Sequence, residues 1–378
     1  MMPDLFVTAH TPTLGVGRAL RTYAIARALA SHGPLDLLYV RFGADEPSPE
    51  FRDHPGIRLH AVEPSRGVRR AWAYLRARSL GTPDQTARAV SYEVAARATS
   101  LAPPPGRGRI IADGMAMRMA LRPLERRHPI IFNGHNLESA FQHELGEERL
   151  AQSDALRRFE RRIFAGSAES WMVSHVDVAG ARELCPEAVV RYVPNVVDVS
   201  AVAAVARPAR SGVVLLVADY TWVPNQQAVR FLLDEVMPAL WATHPEARLA
   251  VVGRGLDLTG EVDARVDRLG FVDDLHAQYA RAAAVVVPLL SGGGSPLKFV
   301  EALAHAVPVV ATPLAARGLE LSAGEHYLEA ADGPAFARVL GEVLTDGAGA
   351  VAAAGRRLVE HEYSIEVLSR LLAPGAAP

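Results

Sequence analysis

The sequence predicts an α/β protein of two doubly wound, parallel-sheet domains with a C-terminal helical tail. Of its 378 residues 49% are hydrophobic, which is enough for two cores because single domains usually have about 100 to 200 residues. Short β-type runs alternate with helical stretches, as in parallel α/β sheets. The alternation restarts after an Ala-rich, Pro-containing segment at residues 200–211. We therefore expect two domains joined by that segment.

In the first half, the apolar run at residues 5–9 predicts a strand. Residues 18–31 predict a helix, because their apolar side chains repeat at helical spacing. Further β-type runs, separated by helical stretches, lie at residues 35–40, 57–61, 109–112, 130–132, 170–173 and 189–193. These elements form the first predicted domain, residues 1–199.

The second half opens with the apolar run at residues 213–217, which predicts a buried strand. Predicted helices follow at 225–241, 274–281 and 296–306, and predicted strands at 248–252, 284–287 and 308–311. A helical stretch at residues 333–372 has no strand after it. We expect a linker at 200–211, a second domain at 212–355 and a tail at 356–378 that packs back on the first domain.

Charge and cysteine content exclude several classes of protein. Forty basic and 42 acidic residues give a net charge of -2, so no overall positive field attracts nucleic acid. The single cysteine, Cys185, cannot form an internal disulfide or a multi-cysteine metal site, and it indicates a reducing compartment. The start lacks a basic n-region, and no stretch has the roughly 18 uncharged apolar residues of a spanning helix. We expect a cytoplasmic protein.

A glycine-rich loop before a helix carries the strongest chemical signal. Gly292, Gly293 and Gly294 follow a predicted strand, Ser295 is placed to cap the helix and Pro296 to begin it. The only lysine of the chain, Lys298, lies in the first turn, and Glu301 follows one turn later. Free N–H groups and an ammonium suit a diphosphate, and the carboxylate suits two hydroxyls. The alternative is an ordinary loop with a Lys298–Glu301 surface pair and a lysine kept by chance.

Residues 294–304, followed by 306–312, resemble the donor-site signature of family 4 glycosyltransferases, which are retaining enzymes of the GT-B fold. The resemblance covers most of the chain, because residues 133–138, 193–198, 251–255 and 270–275 also match family segments. It implies two Rossmann-like domains that face a central cleft, and a nucleotide-diphosphate sugar as donor. It implies that Glu301 binds the ribose. The residues assigned to the donor are Gly293, Gly294, Ser295, Pro296, Leu297, Glu301, Phe271 and Val272.

Two departures from the family pattern affect the donor site. The family commonly has a second glutamate eight positions before Glu301, where this chain has Gly293, so sugar selectivity is open. The family often has an Arg and a Lys for the diphosphate in the segment matched by residues 218–225, and this chain has neither there. Arg254 and Lys298 therefore become the candidate catalytic cations.

The first half supplies a candidate catalytic histidine and a loop. His135 follows a predicted strand, where α/β domains display reactive groups, and the resemblance implies that it lies beside the donor sugar; a structural histidine is the alternative. Gly15 and Gly17 lack the third glycine of a dinucleotide fingerprint. The resemblance implies that their loop, with Arg18, faces the diphosphate and acceptor. A plain turn and a solvated helix start are the alternatives.

The segment Arg66–Arg78 combines five arginines with Trp72, Tyr74 and Leu75. Such a helix suits an anionic membrane at the inner face and a lipid-linked acceptor, and a solvated face is the alternative. No Asp-x-Asp sequence is present, so neither a catalytic metal nor another cofactor is indicated.

The sequence therefore predicts a retaining, metal-independent glycosyltransferase of the hexosyltransferase type. It would move a sugar from a nucleotide-diphosphate donor to a hydroxyl of a glycan, lipid-linked or small-molecule acceptor. Lys298, Arg254 and the helix N-terminus would stabilise charge on the leaving diphosphate. The alternatives are a nucleotide-sugar epimerase or hydrolase of the same fold, and a non-catalytic nucleotide-sugar-binding subunit.

Overall fold

The computed structural model describes residues 2–14, 17–143, 150–205, 211–256, 262–292 and 295–375. Contacts divide the chain into two compact units. Unit 1 comprises Met1–Asn195 and Ile365–Pro378, and unit 2 comprises Val196–Ser364. Each unit is an α/β domain with a parallel sheet, and the C-terminal end is helical, as the sequence predicts. Part of the expected linker, residues 206–210, lies outside the described residues.

Within the described residues, the sheet of unit 1 has seven strands in the order β3-β2-β1-β4-β5-β6-β7. Strands β1, β2, β4 and β5 are buried almost throughout, because a doubly wound sheet is covered on both faces. The strands are β1 Asp4–Thr8, β2 Leu35–Val40, β3 Ile57–Val62, β4 Ile110–Asp113, β5 Ile130–Asn133, β6 Glu169–Met172 and β7 Val190–Tyr192.

The helices of unit 1 connect these strands. In chain order they are α1 Gly17–Ala30, α2 Pro49–Arg52, α3 Gly67–Ser79, α4 Asp84–Ala89, α5 Tyr92–Leu101, α6 Met115–Ala120, α7 Glu138–His143, α8 Leu150–Ala165 and α9 His175–Leu184.

In unit 2 the described residues form a six-stranded sheet in the order β10-β9-β8-β11-β12-β13. Its strands are β8 Val213–Val217, β9 Arg248–Val252, β10 Val266–Gly270, β11 Ala284–Val287, β12 Val309–Ala311 and β13 Leu328–Glu329. Strands β10 and β13 were not predicted from the sequence. Strand β10 contains two charged residues and is partly exposed, and β13 has two residues, so neither produces a buried apolar run.

The helices of unit 2 are α10 Val223–Phe231, α11 Met237–Thr243, α12 Leu275–Arg281, α13 Leu297–Ala304, α14 Pro313–Ala316, α15 Gly333–Asp346 and α16 Gly349–Glu362. The predicted helix 225–241 contains a π-helical turn at Leu232–Val236, between α10 and α11. Pro238 in α11 has no N–H for the usual bond to the carbonyl four residues earlier, which accounts for the altered pattern.

The end of the chain is divided between the two units. The predicted tail begins at residue 356, but α16 belongs to unit 2 as far as Ser364. Helix α17, Ile365–Leu371, packs against α1 of unit 1. Arg191 donates to the Leu371 carbonyl, and Arg109 Nη1 donates to the Leu372 carbonyl at 2.6 Å. These bonds attach the end of the chain to unit 1.

Candidate functional site

A buried carboxylate at the carboxyl end of β4 organises the polar centre of unit 1. Asp113 Oδ2 accepts hydrogen bonds from Thr8 Oγ1 and Thr22 Oγ1, both at 2.8 Å. Asp113 Oδ1 accepts from Asn133 Nδ2 at 2.8 Å and lies 2.9 Å from His135 Nε2. Asp113 pairs with Asn133 across β4 and β5, so the register of the sheet brings this cluster together.

Burial and the hydrogen bond to Asp113 together determine the protonation and the tautomer of His135. Burial alone would raise the pKa of Asp113, but His135, His10 and the Thr22 hydroxyl outweigh it, and the pKa lies well below its usual range. Burial lowers the pKa of His135, although Asp113 acts in the opposite direction. Near pH 7 Asp113 is therefore ionised and His135 is neutral, with its Nε2 proton donated to Asp113. The Nδ1 lone pair of His135 can then accept a hydrogen bond from a hydroxyl.

Arg21 supports the cluster from α1 and was not identified from the sequence. Its guanidinium is fully buried, and burial lowers its pKa to about 10. Nε and Nη2 donate to Asn133 Oδ1 at 3.1 and 2.8 Å, and Nη1 donates to the Val193 carbonyl at 2.9 Å. Because Arg21 occupies the amide oxygen of Asn133, the amide nitrogen is directed at Asp113. Arg21 thus orients Asn133, and Asn133 in turn orients the Asp113 carboxylate that contacts His135.

Asp113 and His135 border a cavity of about 800 Å³ in unit 1. Arg18 Nη2 lies 4.0 Å from Glu138 Oε1, and burial raises the pKa of Glu138 while Arg18 acts against that rise. Among the described residues, the buried Nε2 of His10 has no hydrogen-bond partner. Gly17 begins α1, and Gly15 lies outside the described residues. The ionisable groups on the cavity wall include His10, Arg18, Arg78, Asp84, His135 and Glu138.

In unit 2 the helix that carries Lys298 and Glu301 begins later than predicted. Pro296 is the N-cap, with an extended backbone (φ -72°, ψ 108°), and α13 starts at Leu297. The expectation that Ser295 caps the helix and Pro296 begins it is therefore wrong, because this ψ lies outside the helical range. The helix ends early, because Ala306 has a left-handed φ of 57°. Ser295 and Leu297 are buried, and Gly293 and Gly294 lie outside the described residues.

Lys298 is partly buried and has a neutral partner. Its Nζ donates to Asn225 Oδ1 at 2.6 Å. Burial lowers its pKa to about 7. Within the described part of the chain no carboxylate lies within ion-pair distance of Nζ, so the Lys298–Glu301 surface pair is absent. The ammonium is thus held in place without a counter-charge from the described residues.

Glu301 is also partly buried. Burial raises its pKa to about 7, and the Tyr279 hydroxyl, which donates to Oε2 at 3.4 Å, opposes the rise. The ring of Tyr279 stacks on His305, with ring centroids 4.1 Å apart. Burial lowers the pKa of His305 to about 4. The stack supports the hydroxyl that contacts Glu301, and no cation among the described residues pairs with this carboxylate.

The second candidate cation, Arg254, lies in the turn after β9. Its Nε and Nη2 donate to Asp219 Oδ2 at 3.0 and 2.8 Å, and its side chain is 58% exposed. Gly253 has a φ of 138°, and a Cβ there would lie 1.7 Å from the Ala218 carbonyl oxygen. Only glycine permits so close an approach. The turn therefore packs directly on the segment that follows β8.

Both candidate cations bond to the segment in which the family often has its Arg and Lys. Arg254 bonds to Asp219, and Lys298 bonds to Asn225. Asn225 Nδ2 also donates to the Asp219 carbonyl at 2.7 Å. The structure thus brings Arg254 and Lys298 to opposite ends of one hydrogen-bonded chain. Asn225 was not identified from the sequence, since 73 residues separate it from Lys298.

Phe271 and Val272 directly follow β10, after Gly270, which has a left-handed φ of 63°. Phe271 is 69% exposed. Among the described residues, no hydrogen bond joins either of these two residues to the side chain of Lys298 or Glu301. Their assignment to the donor therefore stays a prediction.

The described residues contain no group of three or more His, Cys, Asp or Glu side chains arranged to hold a metal ion. Among them, no helix combines the length and apolar character required to cross a bilayer.

Residues 211–346, which lie in unit 2, match the family model described as Glycosyl transferases group 1. No curated protein sequence matches the chain.

Solved structures resemble the chain over nearly its full length. Sucrose-phosphate synthase from Thermosynechococcus elongatus is 16% identical with a TM-score of 0.73, over 98% of this chain and 96% of that one. HepE from Anabaena, in complex with UDP and glucose, is 14% identical with a TM-score of 0.70, over 98% of each chain. The α,α-trehalose 6-phosphate synthase from Burkholderia multivorans is 15% identical with a TM-score of 0.68, over 98% of this chain and 97% of that one.

At these identities the likeness establishes the fold. The prediction of two parallel-sheet α/β domains of the GT-B type is confirmed. Together with the family match of residues 211–346, these structures support a glycosyltransferase.

Proposed function

We propose that the protein is a retaining, family 4 glycosyltransferase that moves a hexosyl group from a nucleotide-diphosphate sugar to an acceptor hydroxyl without a metal ion. The observation that carries this proposal is the pair of partly buried ionisable groups on α13. Lys298 and Glu301 have no partner of opposite charge among the described residues, and burial moves both of their pKa values to about 7. An ionised group that is withdrawn from water without a counter-charge lowers the free energy of unfolding, and a ligand that supplies the counter-charge offsets this loss when it binds.

A nucleotide-diphosphate sugar supplies the missing partners. Its phosphate oxygens would accept from Lys298 Nζ and from the free N–H groups at the start of α13. The two ribose hydroxyls would donate to the carboxylate of Glu301. HepE was solved with UDP and glucose, and we propose a donor of the same chemical class.

Arg254 would provide the second positive charge for the diphosphate. Its exposed guanidinium donates to Asp219 Oδ2 through Nε and Nη2, so Nη1 could donate to a phosphate oxygen. The ion pair with Asp219 holds the guanidinium near the end of β9. Lys298 and Arg254 would together stabilise the charge that grows on the leaving diphosphate, which is electrostatic catalysis.

On the side of unit 1, the cavity would receive the acceptor. The unpartnered Nε2 of His10 and the Nδ1 lone pair of His135 are polar atoms suited to hydroxyl groups. The resemblance implies that His135 lies beside the donor sugar. Because Asp113 holds its Nε2 proton, His135 would accept a hydrogen bond from a sugar hydroxyl through Nδ1.

In the transfer step the acceptor oxygen would form a bond to the anomeric carbon while the bond from that carbon to the phosphate oxygen breaks. Attack on the face that the phosphate leaves would retain the anomeric configuration. The acceptor proton would pass to the departing phosphate oxygen, so the products are a glycoside and a nucleoside diphosphate. No side-chain nucleophile is required.

A panel of nucleotide sugars, incubated with the protein and followed by nucleotide release, tests the proposal. A transferase should release nucleotide slowly alone and faster when the correct acceptor is present. Fast release without acceptor would indicate a hydrolase, and conversion of the nucleotide sugar to an isomer would indicate an epimerase. Binding without turnover would indicate a non-catalytic subunit, and absence of binding would refute the donor class.

A further inference from the structure

Helix α3 of unit 1 presents an apolar stripe to solvent. Ala73 and Ala77 are buried against the domain, whereas Val68, Trp72 and Leu75 are 72%, 64% and 56% exposed. The spacing i, i+4 and i+7 places these three side chains on one face of the helix, opposite the two alanines. Exposed large apolar side chains occur singly on most proteins, but a continuous stripe marks an interaction surface.

Arginines flank this stripe on both sides. At about 100° per residue, Arg69 and Arg76 lie on one side of the stripe and Arg78 lies on the other. Arg76 makes no ion pair among the described residues, and Arg69 Nη1 has a single distant one, 3.8 Å from Glu93 Oε1, so its charge is largely available. The helix contains four arginines and no acidic residue, as its sequence GVRRAWAYLRARS shows.

We propose that this face of α3 docks on an anionic lipid surface. An apolar stripe containing a tryptophan enters the boundary between headgroups and acyl chains, while arginines on either side bind lipid phosphates. A protein partner would need acidic groups on both sides of an apolar groove, whereas a bilayer of anionic lipids supplies that arrangement everywhere. The charge pattern therefore favours lipid.

The docked helix would also place the cavity of unit 1 near the headgroups. Arg78, on one flank of the stripe, lines that cavity, and Pro83 and Asp84 at the start of the neighbouring α4 line it as well. This step rests on the proposed function, since it implies that the acceptor hydroxyl belongs to a lipid-linked molecule. The docking itself does not depend on the activity.

Cosedimentation with vesicles tests the docking. The full chain should bind vesicles of phosphatidylcholine with phosphatidylglycerol but not pure phosphatidylcholine. Binding should weaken from about 0.05 M to about 0.5 M salt, because exposed charges are then screened. Each arginine near an anionic surface strengthens binding about fivefold, so Arg69→Gln with Arg76→Gln should weaken it roughly 30-fold. The matched control, Arg126→Gln with Arg127→Gln, removes two exposed arginines elsewhere in unit 1 and should leave binding unchanged.

Tryptophan fluorescence locates the contact. Anionic vesicles should shift the emission of the wild type to shorter wavelength, and Trp72→Phe should lose this shift while it keeps most of the binding. Trp72→Ser should weaken binding about tenfold or more. Failure of the wild type to bind anionic vesicles at low salt would overturn the proposal, as would an equal loss in the control pair.

Two further measurements separate the alternatives. If the wild type sediments as a dimer and Trp72→Ser as a monomer, the stripe is an interface between two copies and the lipid proposal is wrong. Titration of a nucleoside diphosphate into Trp72→Ser should match the wild type. If the wild type does not bind the nucleoside diphosphate, the proposed function is refuted, but the vesicle result is unaffected.

Discussion

Replacing Glu301 by glutamine should make the protein more stable above neutral pH and weaken its binding of nucleotides. The carboxylate is partly buried on α13, and it accepts a hydrogen bond from the Tyr279 hydroxyl at 3.4 Å. Glutamine keeps the size and the acceptor oxygen for Tyr279, but it removes the charge. The substitution therefore tests whether the chain holds an uncompensated charge here for a ligand.

The size of the effect follows from the pKa of Glu301, which burial raises from 4.5 to about 7. A carboxyl group with a higher pKa in the folded chain binds protons preferentially in that state. Its cost is therefore absent below about pH 4.5, grows as the pH rises, and is complete above about pH 7. A shift of this size corresponds to at most about 3 kcal/mol of unfolding free energy.

Thermal unfolding at about pH 5 and pH 8 measures this difference. Glu301→Gln should exceed the wild type in Tm by up to roughly 6 to 12 °C at pH 8 and by much less at pH 5, since a domain of this size changes by about 2 to 4 °C per kcal/mol. Lys298 titrates near pH 7 in both proteins, so it affects the difference little. The matched control Glu342→Gln removes an exposed carboxylate that pairs with Arg338 and should not stabilise the protein.

The same variant should bind nucleoside diphosphates at least about tenfold more weakly, because charge-assisted hydrogen bonds to a buried carboxylate contribute about 1.5 to 3 kcal/mol each. A higher Tm with unchanged affinity would show a buried charge that has no ligand. An unchanged Tm at both pH values would refute the reasoning about burial.

Three further predictions concern the other site residues. Lys298→Met should lower kcat/KM about a hundredfold or more. Lys298→Arg should also lower kcat/KM, because a planar guanidinium does not fit where a compact ammonium donates to Asn225. Near-wild-type turnover by the arginine variant would assign the diphosphate role to Arg254. His135→Ala should fold normally and lose more in kcat than in nucleotide affinity, and a kcat within about twofold of the wild type would contradict its role. In urea unfolding, Gly253→Ala should destabilise unit 2 by about 3 kcal/mol, because its Cβ would clash with the Ala218 carbonyl. The control Gly324→Ala, at a φ of 80° with open space around it, should destabilise it by only about 1 kcal/mol.

Much of the fold could be predicted from the sequence because central parallel strands are continuous apolar runs. Residues 213–217 and 248–252, for example, coincide with β8 and β9. The polar edge strand β10 has no such pattern. The start of α13 was misplaced by one residue, because a proline is equally compatible with the cap and with the first turn until its ψ is known.

Only those site residues that belong to a recognisable sequence motif could be predicted. Lys298, Glu301 and His135 stood out by their residue type and by their place after a strand or glycine-rich loop. Their partners did not, because Asn225 and Arg21 reach their sites through the packing of distant segments. Arg21 in particular lies between Leu20 and Thr22 in α1, and nothing in the sequence distinguishes it from a surface arginine. Such contacts depend on strand register and helix orientation, which a single sequence does not specify.

The central claim is that α13 binds the nucleotide of the donor, with Glu301 on the ribose. Calorimetric titration with ribose and 2′-deoxyribose forms of UDP, GDP and ADP tests it most directly, in the wild type and in Glu301→Gln. The account predicts that the wild type binds one of these ribonucleotides about tenfold or more tightly than its deoxy form, and that Glu301→Gln loses this discrimination. Discrimination that persists in the variant, or a wild type that binds none of the three diphosphates, would contradict it.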